Sequence, residues 1–232
     1  MYHAVADTIL ANSLLRSLPE VNASEVGLMG ISWGGVITAT VMGLDDRFAF
    51  AMPIYGHGHK CDIPNYFGNA LENNDMYRQL WDPILWIEGA EMPSLWLTWL
   101  QENNFSHDGQ AATYHKTLGQ RMVSIVPNMG HGHAIAWHRP ESYDFADSVI
   151  NTQSPWCQQL ELNQEEGLVE VSFESSKPLL AAKLLYTLDF GWTGDMIWTE
   201  TEVSSLSEES PGIWQVTAVL PQEATAWFVN VY

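Results

Sequence analysis

Apolar residues between positions 5 and 18 recur at helical spacing, with Val5, Ile9, Leu10, Leu14 and Leu18 forming the stripe and Pro19 stopping it. A first helix is expected there. The run Val26-Gly27-Leu28-Met29 reads as a short apolar strand, residues 34–42 as a helix, and Phe48-Ala49-Phe50-Ala51-Met52-Pro53-Ile54-Tyr55 as a second, buried strand. Residues 56–90 carry Gly, Asn, Pro and aromatic residues with no sustained period, which suggests a long excursion across one face of the domain. Periodicity then returns, with a strand at 95–100, a helix at 110–118, a strand at 122–126 and a helix at 141–150. Strands alternating with helices imply an α/β domain with a mostly parallel sheet, here of about four strands.

Beyond residue 155 the pattern changes to strand-like runs at 168–173, 182–186, 212–219 and 225–231, separated by polar turns. They predict a small all-β module of the immunoglobulin-like sandwich kind, and a division of the chain into domains 1–153 and 154–232. Trp192, Trp198 and Trp214 lie in this part, and each fits either its core or a platform for sugar rings. Trp81, Trp86, Trp96 and Trp99 pose the same alternative in the middle of the chain, with Trp96 assigned to the core because it lies within a strand.

The 232 residues, 46% of them hydrophobic, suffice for a packed core. With 28 acidic against 9 basic residues the formal charge is -19, which argues against nucleic acid and anionic membrane surfaces as partners. Neutral or cationic ligands fit better. No segment reaches the roughly 18 consecutive apolar residues of a membrane span, and the N-terminal residues lack the basic start and apolar run of a signal peptide. Cys61 and Cys157 stand in no metal-ligand spacing and are expected to be free thiols.

Chemistry concentrates at Gly30-Ile31-Ser32-Trp33-Gly34, a G-x-S-x-G sequence with a strand before it and a helix after it. A nucleophile elbow requires that context: glycines leave room for a sharp turn, and the serine sits on it in a strained conformation with its hydroxyl clear of the sheet. The N-terminus of the next helix favours negative charge beside it. Trp33, directly after the serine, is expected to line a pocket. A serine hydroxyl is a poor nucleophile near neutral pH, so it needs a base within hydrogen-bond reach and a third group to orient that base. Such chemistry uses neither metal nor cofactor, and none is expected.

The elbow, together with Gly43-Leu44-Asp45-Asp46-Arg47-Phe48, Pro53-Ile54-Tyr55-Gly56, Met92-Pro93-Ser94-Leu95-Trp96-Leu97 and Gly130-His131-Gly132-His133, resembles serine hydrolases of the α/β-hydrolase fold over most of residues 1–150. The chain looks most like the carbohydrate esterases similar to acetylxylan esterase and dienelactone hydrolase, some of which carry a C-terminal β-sandwich. The resemblance implies ester hydrolysis by Ser32, a histidine and a carboxylate through an acyl-enzyme, on small esters or acylated sugars, and the lack of a long apolar lid segment favours a short acyl group. The fold's chain order of serine, acid, histidine leaves His131 and His133 as bases, and the resemblance places the base at His131. Similar enzymes end a Gly-Thr-Asn-Asp segment on the acid just after the third strand. Laid on Trp99-Leu100-Gln101-Glu102, that register puts Glu102 in the aspartate's place, ahead of Asp108 and Asn104.

The chain departs from the complete fold before the serine, where one helix stands and strands one to four are expected to be absent. The loop that supplies one oxyanion-hole amide goes with them, leaving the Trp33 backbone N–H as the donor the sequence assures, and losing one such donor costs roughly 100- to 1000-fold in rate. The strand at 26–29 would then present an open edge of unpaired N–H and C=O groups, so a homo-oligomer, most simply a dimer, is expected. Two other functions fit parts of the chain. His57-Gly58-His59 and His131-Gly132-His133 could bring four imidazoles to a zinc ion, and a catalytically weak remnant could act as a carbohydrate-binding or assembly module.

Overall fold

In the computed structural model, which describes residues 1–63, 65–71 and 74–232 (of Asn69, the backbone alone), the chain divides into two units. Pro64, Glu72 and Asn73, within the stretch read as an excursion, lie outside the described residues. The first unit comprises Met1–Pro155 with Trp192–Gly194, and the second comprises Trp156–Gly191 with Asp195–Tyr232.

A four-stranded parallel sheet organises the first unit, in the order β1 (Leu28–Ile31), β2 (Ala51–Ile54), β3 (Ser94–Trp99), β4 (Arg121–Val126). Leu28 to Ile31 run opposite Ala51 to Ile54, and Ser94 to Trp99 opposite Arg121 to Val126. Interior strands of a parallel sheet are covered on both faces and therefore read as continuous apolar runs. Ala51, Ile54, Leu95, Trp96 and Leu97 are accordingly buried completely. β1 begins two residues later than the apolar run suggests. Val26 accepts a hydrogen bond from the Ala49 N–H in the lead-in, and a Cβ on Gly27 would collide with the Phe50 ring at 2.2 Å.

The helices are α1 (Tyr2–Ser17), α2 (Trp33–Val41), a one-turn α3 (Gly68–Leu71), α4 (His107–Tyr114), a short α5 (His133–Trp137) and α6 (Pro140–Thr152). Between α3 and β3 the chain forms a π-helical turn at Tyr77–Trp81 and 3₁₀ turns at Pro83–Leu85 and Ile87–Gly89. Pro140 starts α6, where its missing N–H costs nothing, and Gln153 ends it in a left-handed conformation (φ 64°). The stripe expected to anchor α1 is only half used. Val5 is buried and Ile9 packs on the core, yet Leu10, Leu14 and Leu18 stay exposed at 64%, 63% and 40%. The helix turns Asn12 inward in their place, because its side chain donates to Asp45 Oδ2 at 3.1 Å. The Arg47 guanidinium on the same carboxylate holds Asp45 below the usual carboxylate range.

The second unit holds two antiparallel sheets. One has the order β5 (Cys157–Glu165), β6 (Leu168–Ser175), β10 (Ile213–Val219), β9 (Ser205–Ser210); the other is β11 (Ala226–Val231), β7 (Ala182–Thr187), β8 (Thr199–Glu202). A two-residue turn at Glu166 and Gly167, both at positive φ (48° and 83°), joins β5 to β6, the geometry that matches strand twist. Alternate residues of β6, Val169, Val171 and Phe173, are buried, as the period of a one-sided sheet requires. Cys61 and Cys157 are both free. Among the described residues no helix is long and apolar enough to cross a membrane.

Candidate active site

Ser32 joins the sheet to the helix without an intervening residue. Its N–H donates to the Ile54 C=O at 2.9 Å, continuing the β1–β2 ladder, while its own C=O accepts from Gly35 and Val36 to begin α2. Bound on both sides, it adopts φ 61° and ψ -120°, a conformation a serine reaches only when its surroundings impose it. A Cβ on Gly30 would lie 2.1 Å from the Gly34 C=O, and one on Gly35 would lie 2.4 Å from the Ile54 C=O. Gly34 itself has nothing within 4 Å of such a Cβ. Sterically, then, the turn needs glycine at 30 and 35 more than at 34.

The Ser32 Oγ stands 2.9 Å from His131 Nε2, and His131 Nδ1 stands 2.6 Å from Glu102 Oε2. His131 lies on the loop after β4, where Gly130 takes φ 77°. Glu102 is fully buried on the turn after β3 and meets three N–H groups: Trp99 Nε1 (2.7 Å) and His131 Nδ1 on Oε2, and the Asn104 backbone (2.8 Å) on Oε1. With a carboxyl oxygen as its acceptor, Nδ1 carries the ring proton, which leaves Nε2 to accept from the serine hydroxyl. The imidazole is also held by its faces. Tyr55 stacks on it at 4.5 Å between centroids and Phe105 at 5.7 Å, with only 8° between the planes of Phe105 and His131. The Tyr55 hydroxyl donates to the Gly130 C=O at 2.9 Å, and burial pushes its pKa up to about 12, so it remains a donor.

No protein-family model matches the chain, nor does any curated protein sequence. Among solved structures it is similar to the acetyl xylan esterase from Paenibacillus sp. R4, at 21% identity and a TM-score of 0.52, over 62% of this chain and 51% of that one. It is also similar to a puromycin-hydrolyzing peptidase of Mycobacterium tuberculosis (16% identity, TM-score 0.53, 65% of this chain and 25% of that one). A third is the acylaminoacyl peptidase of Pyrococcus horikoshii (22% identity, TM-score 0.52, 70% and 28%). The fold is α/β-hydrolase-like. The chain spans 51% of the esterase's length and only 25% and 28% of the two peptidases.

Within this hydrolase-like sheet the other residues singled out in the sequence are engaged elsewhere. Asp108 lies in the first turn of α4 and accepts from Thr193 Oγ1 at 2.5 Å. Asn104 takes part through its backbone alone: its N–H reaches Glu102 and its C=O accepts from Lys60 Nζ at 2.6 Å. His133 is exposed at the start of α5. His57 is completely buried, hydrogen-bonded through Nδ1 to the Gly58 C=O, and burial pushes its pKa far below the usual imidazole range. His59 faces Asp62 at 3.6 Å. Among the described residues no three His, Cys, Asp or Glu side chains gather as a metal site, so the four imidazoles of the zinc reading do not converge. Trp33 heads α2, where its backbone N–H is one of those a helix leaves without an internal partner, and its ring packs on Phe67 at 5.5 Å and Tyr77 at 6.1 Å. The sequence pattern gives Phe105 and Lys60 no role, and it marks Tyr55 only within a strand and a motif of the resemblance and Trp99 only as core or sugar platform. Trp99 also stands three residues before Glu102 in the segment compared with the esterase register.

Proposed function

We propose that the chain is a serine esterase that hydrolyses short-chain, acetyl-type carboxylic esters, with Ser32 as nucleophile, His131 as general base and Glu102 as the orienting acid. The observation that carries this reading is the unbroken line of hydrogen bonds from Ser32 Oγ through His131 to Glu102, built on a strained elbow. His131 Nε2 takes the hydroxyl proton as Oγ attacks the ester carbonyl, and Glu102 stabilises the resulting imidazolium. The Trp33 N–H, at the positive end of α2, faces the developing oxyanion. His131 then returns the proton to the leaving alcohol. Water, activated by the same imidazole, hydrolyses the acyl-enzyme and frees acetate and the serine.

Acylated sugars are the proposed substrate class, supported by the fold shared with a protein named an acetyl xylan esterase and by a net charge of -19 that disfavours anionic ligands. The two antiparallel sheets of the second unit fit an immunoglobulin-like sandwich. Turnover of an activated acetate ester by the wild type and by Ser32→Ala decides the central claim. Equal rates would remove Ser32 from the reaction, and loss of turnover on adding a chelator would overturn the metal-free mechanism. Release of acetate from an acetylated polysaccharide, measured against simple esters, tests the substrate class.

A further inference from the structure

Behind the acid lies an ammonium group cut off from solvent. Lys60, on the loop that follows β2, is fully buried. Its Nζ donates to the Asn104 C=O at 2.6 Å and lies 3.7 Å from the centre of the Phe105 ring and 5.0 Å from that of Phe67. Its backbone N–H is anchored on Asp82 Oδ2 at 3.2 Å. One carbonyl and two ring faces are poor exchange for the water such a cation gives up, and burial drives its pKa down to about 7 against the pull of Glu102 and Asp82. His57 also feels its charge. A site needing only volume would be filled at less cost by methionine or leucine.

What distinguishes Lys60 is where its two close partners lead. Asn104 donates its backbone N–H to Glu102 Oε1 at 2.8 Å, and the Phe105 ring lies parallel to His131. The cation thus holds, at consecutive residues, one group that touches the acid and one that touches the base.

We infer that Lys60 is a positioning residue for this site: its terminal amine, donating to the Asn104 carbonyl and packed on the Phe105 ring, fixes the 102–105 turn so that Glu102 and the stacked His131 ring stay in line with Ser32. The inference rests on the esterase reading of those three residues. Lys60→Met keeps the length of the side chain and removes the N–H donor to Asn104. It should lower kcat about tenfold or more and leave KM for a small acetate ester within about twofold, because the ester is not touched by Lys60. In a Glu102→Ala background the same change should cost several-fold less than in the wild type, since one of its two routes runs through the acid. Independently of turnover, the downfield Nδ1–H proton resonance of His131 should shift or broaden in a Lys60→Met protein that remains folded. Full kcat in a folded Lys60→Met protein, or a loss that multiplies undiminished on Glu102→Ala, overturns the role. If Lys60→Met does not fold, Lys60→Gln, which is also uncharged but polar, must show the same kcat loss and resonance change, and their absence overturns it. Should Ser32→Ala hydrolyse esters as fast as the wild type, the esterase reading fails by itself. The resonance alone then judges Lys60, and an unchanged signal refutes it.

Discussion

Glu102→Gln perturbs the site at its most constrained side chain while preserving its shape. All three groups on the carboxyl are N–H donors, two on Oε2 and one on Oε1. An amide must point its NH₂ at one side. Directed toward Trp99 and His131, it opposes two donors and forces the imidazole into the tautomer with its proton on Nε2, which can no longer accept from Ser32. Directed toward Asn104, it keeps an acceptor on Nδ1 but breaks the backbone bond, and the imidazolium of the transition state loses its charged partner at 2.6 Å. Either way the loss is about 3–5 kcal/mol of transition-state stabilisation, roughly 100- to 10,000-fold in kcat, with little change in KM. The buried donor left facing an amide N–H should lower stability by about 1–3 kcal/mol. Steady-state hydrolysis of an activated acetate ester, with Ser32→Ala as the zero, reads the first quantity, and thermal or urea unfolding reads the second. A folded Glu102→Gln protein with kcat within about threefold of wild type would refute the assignment of Glu102 as the acid.

Asp108→Ala removes the acceptor of the Thr193 hydroxyl, so it should cost about 1 kcal/mol in unfolding free energy and leave kcat within about twofold; a large kcat loss would revive Asp108 as the acid. Gly35→Ala would push a Cβ to 2.4 Å from the Ile54 C=O and should destabilise by about 3 kcal/mol or more, whereas Gly34→Ala, with open space, should stay within about 1 kcal/mol of wild type; unfolding midpoints in the reverse order would overturn the steric account of the elbow. The Lys60 pKa of about 7 lies below its ordinary 10.5, so between those values the unfolded chain holds a proton that the folded chain has released, and stability rises with pH. The unfolding free energy of wild type relative to Lys60→Met should therefore climb from pH 7 to 9, by at most about 1.4 kcal/mol per unit, and a flat difference would contradict the burial of a titrating ammonium. Among the described residues β1 pairs on one side only, and α1 exposes Leu10 and Leu14, so sedimentation at micromolar concentration should show a dimer or larger species; a monodisperse monomer would overturn the expected self-association.

What the sequence makes legible follows the range of the interactions involved. The elbow is local: strand, glycine, serine and helix lie within a few residues, and each leaves its own mark. β2 and β3 are equally plain, because burial on both faces writes an unbroken apolar run. α1 misleads, since its inward side is set by Asn12 reaching Asp45 across 33 residues, a polar contact no apolar stripe can reveal. β5, β8 and β9 are missed for a related reason. Their exposed faces carry Gln, Glu, Thr and Ser, so periodicity has few apolar residues to work with. The span from Ser32 to His131 covers 99 residues, and it was the order of groups along the chain, together with family resemblance, that singled out the histidine.

The supporting residues are invisible for a physical reason that also accounts for their presence. In the proposed mechanism the base must stay open to substrate, and the His131 side chain is 24% exposed, so it cannot gain rigidity by burial. The acid can, and Glu102 is completely buried with every close partner an N–H donor. What remains is the ring plane itself, on which Tyr55 and Phe105 stack, with the Lys60 Nζ 3.7 Å from the centre of the Phe105 ring. Stacking demands only an aromatic residue somewhere in the fold, and a buried cation demands only a carbonyl and a ring face. Neither imposes a spacing along the chain, so only the folded arrangement identifies them, and a search of hydrolase-like sequences by motif would find Ser32 while passing over the residues packed around His131.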